Sequence, residues 1–290
     1  MKNSPELWIN EFPVPTGDSH KYSRGQVAVL GGKDMTGAAC LSADAAARIG
    51  AGLVTIISPK VKKSEFNPVS VYRCFKSYII VRDSISIKDF TVEALCKGRV
   101  CSVVGPGLGN KNYPEIRSEI ISLLEINDNV VIDADGINAF ADGQAEYLFE
   151  SLDKNVVLTP HEGEFKKLFP DLVDVLENDR MDAANRAAEI SNAVIVLKGA
   201  KTVVAAKGRK AVINDMASPY LATAGSGDVL SGAIAGLIAQ GMSAFDAACA
   251  AAWIHGKSAE NLGVGLVASD LVEIFPKVLK EMLGIHKKLG

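Results

Sequence analysis

Short β-branched runs alternate with alanine-rich stretches along most of this chain, and that alternation restricts the possible folds more than any other feature. Residues 27–30, 53–57, 100–104, 130–133, 156–158 and 194–197 read as strands. Several are apolar on both faces, as expected of a parallel sheet covered by helices on each side. Residues 38–49, 114–124, 162–169 and 180–191 read as the intervening helices. This βαβα rhythm predicts an α/β fold, a three-layer αβα sandwich around a mostly parallel sheet. Residues 202–206 and 211–213 flank Lys207-Gly208-Arg209, a hairpin signal, so late antiparallel strands should extend the sheet. From residue 227 to 283 the pattern is nearly all helical. No internal repeat and no long linker interrupts residues 1–290, which are therefore expected to form one domain.

Charge and hydropathy remove several function classes. The formal net charge is −3 over 290 residues, which disfavours general nucleic-acid binding because such proteins carry a basic face. A locally positive anion site is still compatible with that balance. The longest uncharged run, between Asp228 and Asp246, is broken by Gly232, Gly236, Gln240 and Gly241. It suits a buried helix better than a membrane span. Residues 1–17 hold acids and prolines and no apolar signal core. Cys40, Cys74, Cys96, Cys101 and Cys249 are odd in number and form no C-x-x-C pair. They are expected to be buried, reduced thiols in a cytoplasmic protein.

Three glycine clusters follow predicted strands. They are Gly31-Gly32, with Thr36-Gly37-Ala38 opening a helix; Gly105-Pro106-Gly107-Leu108-Gly109; and Asp133-Ala134-Asp135-Gly136. In a parallel sheet all three fall on the rim where ligands bind. Each alone reads equally well as a tight turn. Residues 105–109 do not match G-x-G-x-x-G, and no G-x-x-x-x-G-K-[ST] occurs, so neither a Rossmann dehydrogenase nor a P-loop enzyme is indicated.

The most informative segment is Ala222-Thr223-Ala224-Gly225-Ser226-Gly227-Asp228-Val229-Leu230. Its small residues allow a ligand to approach the backbone. A helix is expected to start near Gly227 and run to about Gln240. Its free N–H groups and roughly +0.5 of an elementary charge suit a phosphate. Asp228 sits in that first turn, either as a helix-capping acid or as a base that takes a proton from an attacking hydroxyl.

Residues 222–232 (ATAGSGDVLSG) resemble the anion-hole and base motif of the ribokinase-like kinases. Further segments narrow the resemblance to the ADP/ATP-dependent NAD(P)HX dehydratases: GGKDMTGAA (31–39), GAGLVTI (50–56), GPGLG (105–109), VIDADGIN (131–138), LTPHEGEF (158–165), VLKGAKT (196–202), LSGAIAGLIAQGM (230–242) and His255-Gly256. The resemblance spans about residues 21–276. It implies a ribokinase-like sandwich that uses ADP or ATP, with Mg²⁺, to dehydrate NADHX and NADPHX. In the implied reaction the ring hydroxyl is phosphorylated and phosphate is then eliminated. By position it implies Asp228 as the base, and Ala224, Gly225, Ser226 and Gly227 as the anion hole. It implies substrate contacts at Ala38, Gly107, His161 and Asp228, with nucleotide contacts at Lys198, Gly199, Ala200, Lys201, Thr202 and Gly227. It also implies a cytoplasmic homo-oligomer, with a tetramer as one form, working beside an NAD(P)HX epimerase that bacterial relatives often carry in the same chain. Nothing in this chain resembles that epimerase.

Two positions depart from the family pattern. Met35 stands before Thr36-Gly37-Ala38 where relatives often have Tyr, and Asn214-Asp215-Met216-Ala217-Ser218-Pro219-Tyr220 replaces a Gly/Asn-rich approach to the anion hole. Other residues keep two readings. Lys198 follows a strand, where lysines usually reach solvent. His161 precedes Glu162 and Glu164 in what reads as a helix start. Asp133 and Asp135 form a D-x-D without assured metal ligation. Asp133 and Asn138 are expected beside the substrate, as supporting or binding groups. The competing functions are a ribokinase-like vitamin kinase, such as a hydroxyethylthiazole kinase, and a non-catalytic adenine-nucleotide sensor.

Overall fold

The computed structural model describes residues 1–289 apart from 62–65, 142 and 217, with the backbone alone for 285–289. Among the described residues nine strands form one sheet: β1 (Gln26–Leu30), β2 (Leu53–Ile57), β3 (Ile80–Arg82), β4 (Val100–Val104), β5 (Val130–Ile132), β6 (Val157–Leu158), β7 (Val194–Leu197), β8 (Thr202–Ala205) and β9 (Val212–Asn214). Their spatial order is β3-β2-β1-β4-β5-β6-β7-β8-β9. Strands β1 to β7 pair in parallel, and β8 and β9 add the late antiparallel hairpin. The chain runs outward from β1 to β3 and then returns to the other side of β1 with β4. The rim between β1 and β4 is thus a topological switch point, where carboxyl-end loops diverge and leave a crevice.

Helices cover both faces. One face carries α1 (Thr36–Arg48), α10 (Ser226–Ala239), α11 (Ala244–Leu262) and α12 (Ala268–Leu289). The other carries α3 (Ile87–Leu95), α4 (Tyr113–Leu124), α5 (Asp135–Asn138), α7 (Glu162–Leu168) and α9 (Arg180–Ser191). Shorter helices are α2 (Val69–Phe75), α6 (Ala145–Phe149) and α8 (Val173–Asn178). Strand residues alternate between the layers: Val27, Val29, Val54, Ile56, Val194 and Val196 face the first core. Ala28, Ile57, Val130, Ile132, Ile195 and Leu197 face the second. Both strand faces are apolar because both are covered.

The uncharged run after Asp228 is α10, whose residues from Val229 to Ala239 are all buried. Its glycines let α1 come close. A Cβ on Gly232 would lie 2.0 Å from the Ser42 carbonyl oxygen, and one on Gly236 would lie 2.3 Å from Ile49 Cγ2. The alanine-rich residues 245–259 lie within α11 and are mostly buried inside this chain. No helix among the described residues is long and apolar enough to cross a membrane.

The structure corrects some expectations. Strand β3 and helices α2, α3, α5, α6 and α8 were not expected. Three residues with only Val81 half-buried leave β3 without a clear apolar signal. β5 stops at Ile132 rather than 133, because Ala134 turns the chain at φ 46°. Cys40, Cys101 and Cys249 are buried free thiols, and burial pushes Cys40 up to about 11. Cys74 and Cys96 are exposed instead. The first residues lie along β9: the Met1 ammonium donates to the Ala211 carbonyl, Ile213 N to Met1 O at 2.7 Å and Asn3 N to Ile213 O at 2.8 Å.

Candidate active site

The glycine clusters meet on the rim as the parallel order requires. The loop after β4 packs directly on its neighbours. A Cβ on Gly32 would fall 1.7 Å from the Gly107 carbonyl oxygen, and one on Gly105 the same distance from the Asp133 carbonyl oxygen. Gly107, at φ 69°, lies against Met35 O and the Ala38 methyl. Asp135 accepts from Gly109 N at 2.7 Å and ties the loop after β4 to the one after β5. Asn138 donates to Ala134 O at 3.2 Å, so its side chain braces that second loop. Expected substrate positions therefore follow β1, β4, β5 and β6, whereas expected nucleotide positions follow β7. Asp228 stands before the middle of that row, with Asp133, Asp135 and Lys198 all near enough to shift its titration.

Helix α10 begins one residue earlier than expected, at Ser226, capped by Gly225 at φ 88° without a side-chain bond. Ser226 N reaches Thr223 O at 3.4 Å. No described residue accepts from the amides of Ala224, Gly225, Gly227 or Asp228. These are orphan donors at a helix start. Burial, with a contribution from Asp133, pushes the Asp228 carboxyl up to about 7, against the pull of Lys198. A carboxylate that changes charge near neutrality can both take and return a proton.

Beneath this turn lies a buried ionic network. Lys198 Nζ donates to Asp133 Oδ1 at 2.6 Å and stands 3.9 Å from Glu164 Oε2. The Lys198 side chain is 19% exposed, so it points inward rather than to solvent. Its ammonium lies 3.4 Å from where a Gly227 Cβ would be, directly under the cradle. Burial opposes the charge of Lys198, but Asp133 and Glu164 outweigh it and hold its pKa above the ordinary value. Asp133, 1% exposed, also accepts from Ser231 Oγ and from Ala134 N. The D-x-D pair is thus divided, with Asp133 turned into the core and Asp135 outward to Gly109.

His161 caps α7 in a reciprocal box. Glu164 N donates to His161 Nδ1 at 3.1 Å, and His161 N donates to Glu164 Oε2 at 2.8 Å. An accepting Nδ1 makes the imidazole Nε2 the protonated nitrogen, which stands 3.4 Å from Glu164 Oε1, and the side chain is 59% exposed. The helix-start reading of His161 is thus what the structure shows, with its ring left exposed. Burial pushes the Glu164 carboxyl above its usual range, with Lys198 working against it.

A cleft of about 340 Å³ opens on the β7–β9 side. Lys198, Gly199, Ala200, Thr202, Ser226 and Gly227 line it, facing Asn214, Met216, Pro219 and His255. Lys201 does not line it, and its carbonyl accepts from Arg180 Nε instead. In the segment 214–220, Ala217 lies outside the described residues. His255 donates from Nε2 to the Ser226 carbonyl at 2.9 Å, and burial lowers it to about 4, so it is neutral. Sequence reasoning assigned no role to Glu164, Arg180, Ser231 or His255. Glu164, Ser231 and His255 fall within the segments of the resemblance, and Arg180 falls at the start of an expected helix.

Comparison with known proteins places the chain among relatives. A family model described as NAD(P)H-hydrate dehydratase matches residues 27–277. An ADP-dependent (S)-NAD(P)H-hydrate dehydratase from Neisseria meningitidis serogroup B is 34% identical over 270 residues, covering 90% of this chain and 86% of that protein. A bifunctional NAD(P)H-hydrate repair enzyme from Salinibacter ruber is 35% identical over 283 residues, covering 94% of this chain. The chain spans 51% of that relative's length. A solved ribokinase-like superfamily protein from Enterococcus faecalis V583 superposes with a TM-score of 0.79 at 23% identity, over 97% of this chain and 96% of that one, and shares the fold. Matched by the family model across most of its length, this chain belongs to the NAD(P)H-hydrate dehydratase family.

Proposed function

We propose that this chain restores NADH and NADPH from NADHX and NADPHX, with ADP or ATP as phosphate donor. One observation carries the reading: Asp228 stands at the first turn of α10 beside unpartnered amides, with a pKa pushed to about 7. Asp228 takes the proton of the ring hydroxyl as its oxygen attacks the terminal phosphoryl group, whose bond to the bridging oxygen breaks to release AMP from ADP, or ADP from ATP. The amides of residues 224–227 donate to the phosphoryl oxygens, in-line transfer being mostly a matter of positioning and charge stabilisation. Phosphate then leaves with its bonding electron pair, a proton departs from the adjacent ring carbon, and the ring regains its double bond. Lys198 supplies positive charge from below, and the His161 Nε2–H offers a donor toward the substrate. Ala38 and Gly107 give the substrate close backbone approach, with Asn138 bracing the loop behind it. Lys198, Gly199, Ala200, Thr202 and Gly227 hold the nucleotide, whereas the Lys201 carbonyl is turned to Arg180.

Magnesium fits this site as a ligand of the nucleotide. No three His, Cys, Asp or Glu side chains gather among the described residues, so there is no ready cage. Such an ion keeps its waters and binds phosphates plus one or two carboxylates. Asp228 and Asp135 could face it, and when bound it would screen charge on the transferring group.

The family match favours dehydration over the vitamin-kinase and nucleotide-sensor readings. A cytoplasmic homo-oligomer acting with an NAD(P)HX epimerase, as one ribokinase-like domain, completes the proposal. The test is purified protein mixed with NADHX and either ADP or ATP. Absorbance of the reduced ring should return together with stoichiometric free phosphate. A stable phosphorylated product would favour the vitamin kinase, and nucleotide binding without turnover the sensor.

A further inference from the structure

We propose that Arg180 is a positioning residue for the nucleotide loop, setting nucleotide affinity without lining the nucleotide cleft. The identity of the nucleotide rests on the dehydratase reading above. Arg180 is the first residue of α9, and its guanidinium lies along the loop that joins β7 to β8. Nη2 donates to the carbonyls of Lys198 and, at 3.4 Å, Leu197, while Nε donates to the Lys201 carbonyl at 3.2 Å. One rigid, planar fork thereby fixes both ends of the loop. Gly199 sits against it, since a Cβ there would lie 2.6 Å from Nη2. With those carbonyls drawn toward Arg180, the loop turns Lys198, Gly199, Ala200 and Thr202 to the cleft, whose lining does not include Arg180.

The clasp also reaches the neighbouring loop. Arg180 Nη1 stands 3.5 Å from Glu162 Oε2, at the start of the helix that His161 caps. Lys198 N donates to Pro160 O at 2.8 Å across the same seam. Burial lowers the Arg180 pKa while Glu162 supports its charge, and the side chain is 23% exposed. A lysine cannot reproduce the clasp, because a point charge lacks a planar fork matched to these acceptors.

The test is direct binding of ADP to the intact protein and to Arg180→Ala and Arg180→Lys, alongside NADHX turnover and thermal melting. Arg180→Ala should raise the Kd and KM for ADP about tenfold or more, with kcat and the KM for NADHX changed less than about threefold. Added guanidinium should recover part of the lost affinity, and Arg180→Lys should fall between parent and Ala. A folded Arg180→Ala protein that binds ADP within about twofold of the parent would overturn the proposal. So would equal weakening of both substrates with no recovery by guanidinium. If Arg180→Ala does not fold, parent-like ADP affinity in Arg180→Lys overturns it. A parent that binds ADP but does not dehydrate NADHX would sink the activity reading alone, because affinity is measured without turnover.

Discussion

On the β1–β5 side of Asp228 the rim is backbone packed on backbone, whereas on the β7–β9 side it is backbone held by side chains. Gly32, Gly105 and Gly107 approach main-chain oxygens more closely than any Cβ permits. The loop of residues 198–201 is instead spanned by Arg180, and the start of α10 is held by His255. Packed backbone has no way to yield, so that half should act as a fixed template. A side-chain clasp can relax, so that half should be tunable. Asp228 and the Lys198–Asp133 pair stand where the halves meet and should be sensitive to change from either side.

Substitutions can break or sharpen this contrast. Asp228→Asn should have the largest effect, lowering kcat by about 10³-fold, within the range of lost general base catalysis. Steady-state assay of NADHX conversion checks it. The same variant should melt higher than the parent near pH 8. A carboxyl whose folded pKa is raised to about 7 binds more protons folded than unfolded, so its contribution to stability falls as pH rises from about 4 to 7. The neutral amide escapes that loss. Parent activity should rise through the same titration as the base ionises. Next, Lys198→Met strips the cation from a fully buried Asp133 and should cost about 3–5 kcal/mol in denaturant unfolding.

Gly32→Ala should cost about 3 kcal/mol and weaken NADHX binding, because its Cβ meets a main-chain oxygen. Gly199→Ala should cost no more than about 1 kcal/mol and act on ADP, because its Cβ meets a movable guanidinium. Equal destabilisation by the two would erase the distinction between the halves. The smallest effect is expected at His255→Gln. Burial lowers His255 to about 4, so the neutral ring favours folding fully above about pH 6.5 and loses that contribution as pH falls toward 4. The variant's melting temperature should therefore depend less on pH across this window.

The alternation of strands and helices, the late hairpin and the start of α10 were legible because each is written in neighbouring residues. Asp228 was legible for the same reason, since Gly225, Ser226 and Gly227 precede it directly. The network below it was not. Lys198 and Asp133 are 65 positions apart, and Ser231 and Asp133 are 98 apart. No local pattern records such pairings. Apart from the resemblance, which implied a nucleotide contact, Lys198 read as a lysine after a strand, and nothing local paired it with Asp133. Glu164 read as a first-turn acid, which it is, but its burial follows from tertiary packing of α7 on the sheet. Arg180 read as an ordinary helix start, although its side chain belongs to a loop across the layer.

The bridge that residues 1–3 make to β9 has a consequence for association. A sheet edge with unsatisfied amides recruits other strands, and natural proteins cover or interrupt such edges. Here Met1 and Asn3 already occupy the hydrogen bonds of Ile213, and Asn3 is locked by Trp8 Nε1 at 3.1 Å and by the Cys249 carbonyl at 2.8 Å. The opposite edge, β3, is three residues long. The sheet thus has one sealed border and one short border, leaving little template for edge-to-edge aggregation. Unlatching those first residues would reopen the β9 border, itself three residues long.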